Sequence, residues 1–133
     1  MRLTPDALQA RVVNFGVASC QELRRMPKDL VHSHIAKQLV RSATSPAANY
    51  AEARASESPR DFVHKMQVCL KELRETDVWL DFVQKLGRGS GQPRVTQECR
   101  ELIAIFATSV KTARSNAAKT TPNGCCARCG AAL

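Results

Sequence analysis

The sequence has few of the residues that build β-sandwiches and β-barrels. Aromatic residues make up only 5% of its 133 residues, and it holds six glycines and six prolines. Folds made of many short strands need frequent turns and a good supply of aromatic residues, so this composition argues against them. The length fits one domain that buries a core without disulfides. We therefore expect an all-α protein.

A long apolar run is missing from the first twenty residues, where charged residues interrupt the hydrophobic ones. A secretory signal needs such a run, and a membrane-spanning helix needs about 20 apolar residues. We therefore predict a cytoplasmic protein with no membrane partner. In that reducing compartment the six cysteines stay as thiols. Packing in helices accounts for Cys20, Cys69 and Cys99, because a buried thiol behaves as a small hydrophobe.

Acidic residues are absent from two long stretches. No carboxylate lies between Leu30 and Ala51 or after Glu101, while the whole chain has a net charge of +8. A positive surface favours partners that carry phosphates or carboxylates. The alternative is a solvated surface that serves only solubility. The predicted nucleic-acid-binding residues are Lys37, Arg41, Lys111 and Arg114.

Four segments carry apolar residues at helical spacing. Capping side chains at Thr4 and Ser58 predict where the first and third helices begin, and the second helix is expected to start near Asp29. We expect Pro46 to bend the second helix without ending it. The third segment is the clearest, because a seven-residue apolar repeat continues from residue 62 to residue 83. Four helices of this kind predict a four-helix bundle.

The third and fourth helices carry more apolar residues than one packed face can bury. Trp79 and Phe82 form a second stripe beside the repeat, and residues 102–107 are apolar around the whole helix. Exposed patches of this kind mark protein contacts. We therefore predict a homo-oligomer with Trp79, Phe82 and Ile105 between subunits, each contributing roughly 1.5–3 kcal/mol before association costs. The alternative is an unusually wide core in a single subunit.

A polar stripe at seven-residue spacing runs down the second helix. Buried polar groups need hydrogen-bond partners, which an interface between subunits would supply. The alternative is a stripe that faces solvent or a ligand. The residues assigned to this oligomer interface or structural motif are Gln38, Ser42, Ser45, Asn49 and Glu52.

The same stretch resembles the bacterial four-helix bundle proteins encoded in intervening sequences of large-subunit ribosomal RNA genes. The residues that carry the resemblance are Gln38-Leu39, Arg41-Ser42, Ser45 to Glu52 (SPAANYAE), Asp61-Phe62, Lys71 to Thr76 (KELRET) and Trp79-Leu80. The similar region extends from about Leu8 to Arg114.

The resemblance implies an up-down-up-down bundle and a homo-oligomeric ring of five subunits. It also implies kinship with the accessory proteins of diversity-generating retroelements, which use a basic surface to hold nucleic acid and a reverse transcriptase. We therefore expect RNA or DNA, and a reverse transcriptase, as partners of this chain. A fold shared with a family carries over more securely than a binding function.

The end of the chain departs from the family pattern. We assign residues 1–117 to the bundle domain and residues 118–133 to a flexible tail that contains Cys125, Cys126 and Cys129. A structural zinc site needs four ligands, and the tail supplies three thiols. We therefore predict no metal and no cofactor. The alternatives are a site completed by a histidine or a second subunit, and a tail that responds to oxidation.

No arrangement of residues in the sequence points to catalysis. His32 and His34 lie on different faces of a helix, and His64 stands beside Lys65 without a paired acid. We therefore predict a protein that is not an enzyme and that binds RNA or DNA through phosphates. The alternative function is a protein-protein adaptor whose positive surface meets an acidic partner. Sequence reasoning leaves both open.

Overall fold

The computed structural model describes residues 2–87 and 92–120, and this part of the chain is helical without any strand. The helices are α1 (Pro5–Glu22), α2 (Leu30–Arg54), α3 (Pro59–Leu86) and α4 (Pro93–Thr120), with a short 3₁₀ helix at Leu23–Arg25 after α1. The predictions of an all-α fold and of four helices are confirmed. Within the described ranges, no helix combines the length and the apolar character that crossing a membrane requires.

Three helices begin where the sequence predicts, and each start is capped by a side chain, at Asp29 as well as at the predicted Thr4 and Ser58. The side chains of Thr4, Asp29 and Ser58 each accept a hydrogen bond from the backbone N–H three residues later, at 2.9 to 3.1 Å. Each bond satisfies one of the amides that the first turn of a helix leaves without a partner. Gly87 ends α3 with a φ of 73°, a left-handed conformation that glycine adopts without steric cost.

One helix continues through an internal proline, and another extends past the predicted domain boundary at residue 117. As expected, α2 runs on through Pro46, whose carbonyl oxygen lies 3.5 Å from the Cys69 thiol on α3. At the other end of the chain, α4 continues to Thr120. The first three residues of the predicted tail, 118–120, are therefore helical. The three tail cysteines lie outside the described residues.

Contacts across the bundle show that consecutive helices run antiparallel, because two contacts in each pair of helices reverse the residue order. They join Asp6 to Arg54 and Gln9 to Ala47, Ser42 to Thr76 and Glu52 to Lys65, and Gln67 to Arg114 and Leu73 to Cys99. Arg11 of α1 also contacts Glu98 of α4. The helices therefore follow one another around the bundle in chain order, and α2 lies diagonally across from α4. The contact between α2 and α3 is the most extensive, whereas α1 packs only lightly on α4.

The core runs along the centre of the bundle and takes side chains from all four helices. Its largest fully enclosed members include Phe15, Leu39, Leu73 and Phe106. Burying a side chain of this size stabilises the fold by roughly 1.5–3 kcal/mol. The rings of Tyr50 and Phe106 pack in a T-shaped arrangement with centroids 5.6 Å apart.

The subunit itself covers most of the apolar run in α4. Leu102 and Phe106 are fully buried, and Ile103 and Ile105 pack against the same core. Ile103 and Ile105 are only partly buried and Ala104 is exposed, so contact of this run with a second subunit stays a prediction. Four helices enclose a wider space than the single stripe that periodicity describes, so the side of α4 also finds partners.

Candidate nucleic-acid interface

Arg41 on α2 meets two carboxylates that the sequence places far away. Its Nη1 lies 3.3 Å from Glu72 of α3, its Nη2 forms a short ion pair with Glu75, and the same guanidinium contacts Gln38 at 3.3 Å. Antiparallel packing therefore brings α3 carboxylates alongside a stretch of α2 that has none of its own. Lys37, one turn earlier, is exposed and makes no ion pair with any described residue.

The two predicted cations on α4 also differ in whether another side chain contacts them. Lys111 is exposed and has no ion-pair partner among the described residues. Arg114 lies against Gln67 of α3, whose amide oxygen, assigned by its hydrogen bonds, accepts from Nε at 3.0 Å. This contact is to a neutral group, so Arg114 keeps its charge available.

The structure does not gather the four predicted cations into one surface. Lys37 and Arg41 lie in the first half of α2, while Lys111 and Arg114 lie in the last third of α4. Because α2 and α4 are diagonal and antiparallel to their shared neighbour α3, these two pairs lie towards opposite ends of the bundle. One phosphate backbone therefore does not meet all four as a single patch.

Exposed cations lie at the end of the bundle where α1 ends and where α2 and α4 begin. We call it the positive end; its members are Arg24, Arg25, Lys28, Lys37 and Arg94. All five are exposed, and none forms an ion pair with a described residue. Lys37 lies two turns into α2 from this end. The adjacent Arg24 and Arg25 were a usable sequence signal, but Arg94 joins them only through folding.

The polar stripe on α2 finds its partners inside the subunit. Ser42 is fully buried and its hydroxyl lies 3.0 Å from that of Thr76. Asn49 donates to Ser45 Oγ at 2.9 Å, and Glu52 accepts from Lys65 of α3 at 2.8 Å. This bond also raises the pKa of Lys65. Gln38 contacts Arg41, so no member of the stripe depends on a second subunit for a hydrogen bond.

Trp79 and Phe82 lie at one end of the α2–α3 face and remain partly open to solvent. Their rings are 5.4 Å apart, and His34 of α2 packs edge-on against Trp79 at 6.2 Å. Phe82 is 46% exposed, and the Trp79 indole donates to Glu75 at 3.2 Å. Val31 and Leu86 extend the same exposed face at this end. We call Val31, His34, Trp79, Phe82 and Leu86 the Trp79 patch.

Ile105 does not belong to this patch. It follows Glu101 by one turn on α4, and Glu101 contacts Arg11 of α1 at 2.6 Å. Ile105 therefore lies on the α1 side of α4, whereas Trp79 lies on the α2 side of α3. The structure separates residues that the sequence assigned to one interface, because hydrophobicity alone does not say which helix faces which neighbour.

Groups that carry out catalysis or hold metals do not converge in the described residues. His32 contacts Asp29 at 2.7 Å at the start of α2, where the His32 backbone N–H lowers the pKa of the Asp29 carboxyl. No cluster of three or more His, Cys, Asp or Glu side chains suited to a metal ion occurs in this part of the chain. Burial raises the pKa of Cys69 and of Cys99 to about 12, so both stay as neutral thiols.

Fold and surface together define a small four-helix bundle with a surplus of positive charge and an exposed aromatic patch. A family model described as "23S rRNA-intervening sequence protein" matches residues 9–108. The chain belongs to this family, as the sequence resemblance indicated.

A solved structure of a protein of unknown function from the S23 ribosomal protein family of Bacteroides thetaiotaomicron has the same fold. It is 24% identical, with a TM-score of 0.72 over 80% of this chain and 97% of that one. No curated protein matches this chain significantly.

Proposed function

We propose that this protein is a non-enzymatic, self-associating four-helix bundle that binds RNA or DNA through phosphate contacts. The observation that carries the proposal is how unevenly the charges are paired. Nine of the twelve acidic residues take part in ion pairs with described cations or with His32. Of the eighteen described lysines and arginines, only six are in such pairs.

Twelve described cations therefore have no ion pair with any other described residue. Their surplus gives a positive field that attracts a polyanion and supplies the contacts that release counterions from phosphates. They are Arg2, Arg24, Arg25, Lys28, Lys37, Arg60, Lys71, Arg74, Arg94, Lys111, Arg114 and Lys119. Five of them are the members of the positive end, so we propose that nucleic acid contacts the protein mainly at that end.

The aromatic residues favour contact with phosphates over the reading of bases. Tyr50 is 5% exposed and packs on Phe106, so its face is not available for stacking. Trp79 already contacts His34 and Phe82. Stacking on aromatic rings is how proteins usually hold unpaired bases. Binding should therefore depend on salt and show little sequence preference.

Three double variants that each remove two lysine charges test this interface. Mobility shifts with one RNA and one DNA, at about 50 and about 200 mM salt, should show steep loss of affinity with salt. Lys28→Ala with Lys37→Ala should weaken binding most and lower the salt slope by about 1 for each lost contact. Lys65→Ala with Lys85→Ala is the matched control, since Glu52 and Asp81 already neutralise these two ammonium groups.

The third variant, Lys111→Ala with Lys119→Ala, removes charge at the far end of α4. Equal weakening by all three variants would mean that net charge alone attracts the polyanion, and would overturn the positive end as the interface. Binding that ignores salt, or no binding at low salt, would overturn the nucleic-acid proposal. An adaptor for an acidic protein would then be the function to test.

The Trp79 patch supports self-association. Phe82 and Val31 are 46% and 54% exposed, and an apolar surface of this size beside a stacked tryptophan gains from being covered. We propose a homo-oligomer through this patch, and five copies from the family resemblance. Light scattering of the full chain should give five times the subunit mass of 14.6 kDa.

A pair of serine variants distinguishes this patch from other exposed apolar positions. Phe82→Ser should lower the assembled mass, whereas Val13→Ser, at a valine 43% exposed on α1, should leave it unchanged. Loss of assembly in Val13→Ser alone would move the interface to the exposed face of α1 that carries Val13. A monomeric wild-type chain would overturn self-association altogether.

A further inference from the structure

A groove runs along the side of the bundle opposite the Trp79 patch. It lies between α1 and α4, which pack on each other less closely than any other pair of adjacent helices, and its volume is about 650 Å³. The core residues Phe15 and Val95 line it, and the ion pair of Arg11 with Glu98 joins its two sides. We call it the α1–α4 groove; its other lining residues include Ala7, Ala10, Asn14, Ala18 and Arg94.

The groove and the Trp79 patch lie at the same height along the bundle. Trp79 and Leu86 belong to the last turns of α3, and Arg94 and Glu98 belong to the first turns of α4. Because α3 and α4 are consecutive and antiparallel, the end of one lies beside the start of the other. The four helices follow one another around the bundle, so the α2–α3 face is opposite the α1–α4 face. A second copy placed side by side therefore brings its patch level with the groove of the first.

The shapes of the two surfaces favour this pairing over contact of the patch with itself. Phe82 is 46% exposed beside Trp79, so large rings are offered to a partner. The α1 side of the groove is lined largely by alanines, whose short side chains leave room for such rings. Stable interfaces are packed as densely as protein interiors. Two patches facing each other would set ring against ring and leave the groove of each copy in water.

The charges favour the same pairing. Glu72 and Glu75 beside the patch share a single cation, Arg41, so this surface has one carboxylate in excess. Arg94 lines the groove, is exposed and forms no ion pair with any described residue. Seating the patch in the groove brings opposite charges together, whereas two patches in contact would bring their carboxylates together. Interfaces are arranged so that such like-charge contacts are avoided.

We propose that copies of this chain associate head to tail, with the Trp79 patch of one copy seated in the α1–α4 groove of the next. The inference rests on the proposed self-association through the Trp79 patch, and it names the surface that this patch meets. A contact between two different surfaces repeats from copy to copy and closes into a ring where the rotation allows. Ile105, two turns beyond Glu98 on the α1 side of α4, then lies at the border of the contact. Arg94 joins the contact, which leaves the other four cations of the positive end for nucleic acid.

A variant that blocks the groove tests this pairing by light scattering of the full chain. Ala10→Glu puts a longer, charged side chain into the groove at an exposed helical position, and glutamate is a good helix former. It should reduce the assembled mass to the subunit mass of 14.6 kDa, as Phe82→Ser should at the patch. Ala48→Glu, at an exposed alanine of α2 outside both surfaces, is the matched control and should assemble like the wild type.

Mixing the two blocked variants separates head-to-tail contact from other arrangements. The intact patch of Ala10→Glu can enter the intact groove of Phe82→Ser, and neither chain can then add another copy. A one-to-one mixture should therefore approach twice the subunit mass as its concentration rises, whereas each variant alone stays at the subunit mass. The two-chain species would also show that both variants are folded. Asn14→Glu, at an exposed polar position of the same groove, should behave like Ala10→Glu.

The outcomes distinguish this inference from the proposed self-association. If Phe82→Ser loses assembly while Ala10→Glu and Asn14→Glu assemble like the wild type, the patch meets itself or another surface; self-association would stand and the head-to-tail contact would be overturned. A mixture of the blocked variants that gives no two-chain species would overturn it as well. A wild-type chain that is monomeric would overturn both proposals.

Discussion

The hydroxyl oxygens of Ser42 and Thr76 lie 3.0 Å apart at the contact between α2 and α3, where both side chains are fully buried. Each hydroxyl also lies near a carbonyl oxygen of its own helix, Leu39 at 3.4 Å and Glu72 at 2.8 Å. The pair therefore fixes the register of α2 on α3 with every buried oxygen satisfied. A slip of one turn would separate the two hydroxyls.

A double-mutant cycle measures this contact. Ser42→Ala and Thr76→Val should each lower the free energy of unfolding by about 1–2 kcal/mol, because each leaves a poorly satisfied hydroxyl in the core. The double variant should cost about 0.5–1.5 kcal/mol less than the sum of the two, since it removes both partners together. Urea unfolding gives the three values. Strict additivity would contradict the contact.

Arg11 is expected to hold α1 onto α4. Its guanidinium reaches Glu98 through two atoms at 2.6 and 2.9 Å, and Glu101 at 2.6 Å. Apart from these contacts the two helices pack lightly, so Arg11→Ala should lower the unfolding free energy by about 1–2 kcal/mol, less at high salt. Arg100→Ala, which breaks a looser pair with Asp77 at 3.4 Å, should cost under about 0.5 kcal/mol. Equal losses in the two variants would contradict this prediction.

Gly16 should resist replacement by a larger residue. A Cβ at this position would lie 3.2 Å from the backbone oxygen of Ala43 on α2, and a backbone atom does not move aside as a side chain does. Gly16→Val should therefore destabilise the fold by about 2 kcal/mol or more. Ala48→Val, at an exposed position on α2, should cost under about 1 kcal/mol by helix propensity alone. Thermal unfolding compares the two.

The buried thiols should react only when the chain opens. The pKa of Cys69 and of Cys99 is about 12 in the folded chain, against an ordinary value of 9.0. Native labelling near pH 8, mapped by mass spectrometry, should modify half-buried Cys20 and leave both buried thiols intact. Rapid native labelling of Cys69 would contradict their burial.

The same two thiols predict an alkaline loss of stability. Because the folded pKa exceeds the unfolded value, folding keeps protons on these groups. Their contribution is complete below about pH 9 and disappears as the pH rises towards about 12. The wild type should therefore lose more unfolding free energy between about pH 8 and about pH 10 than Cys69→Ala with Cys99→Ala.

Local patterns in the chain were enough to predict the helices. The capping residues Thr4 and Ser58 and the repeat from residue 62 to residue 83 act over a few positions, so they are visible before folding. The predicted continuation through Pro46 was also confirmed, because neighbouring packing supports a helix that lacks one backbone bond. Ion pairs were not visible in this way: Arg41 has no acidic neighbour in sequence, yet it contacts Glu72 and Glu75.

The sequence by itself determined the helix starts and the buried stripes, since each depends on residues within one or two turns. It also determined the excess of positive charge, which follows from the composition. Only the tertiary structure decided which cations remain unpaired, which polar residues face one another and which apolar residues stay in water. It alone separates Ile105 from Trp79 and places the α1–α4 groove opposite the Trp79 patch. The physical reason is that these relationships join side chains on different helices, whose rotation and register are fixed only when the four helices pack.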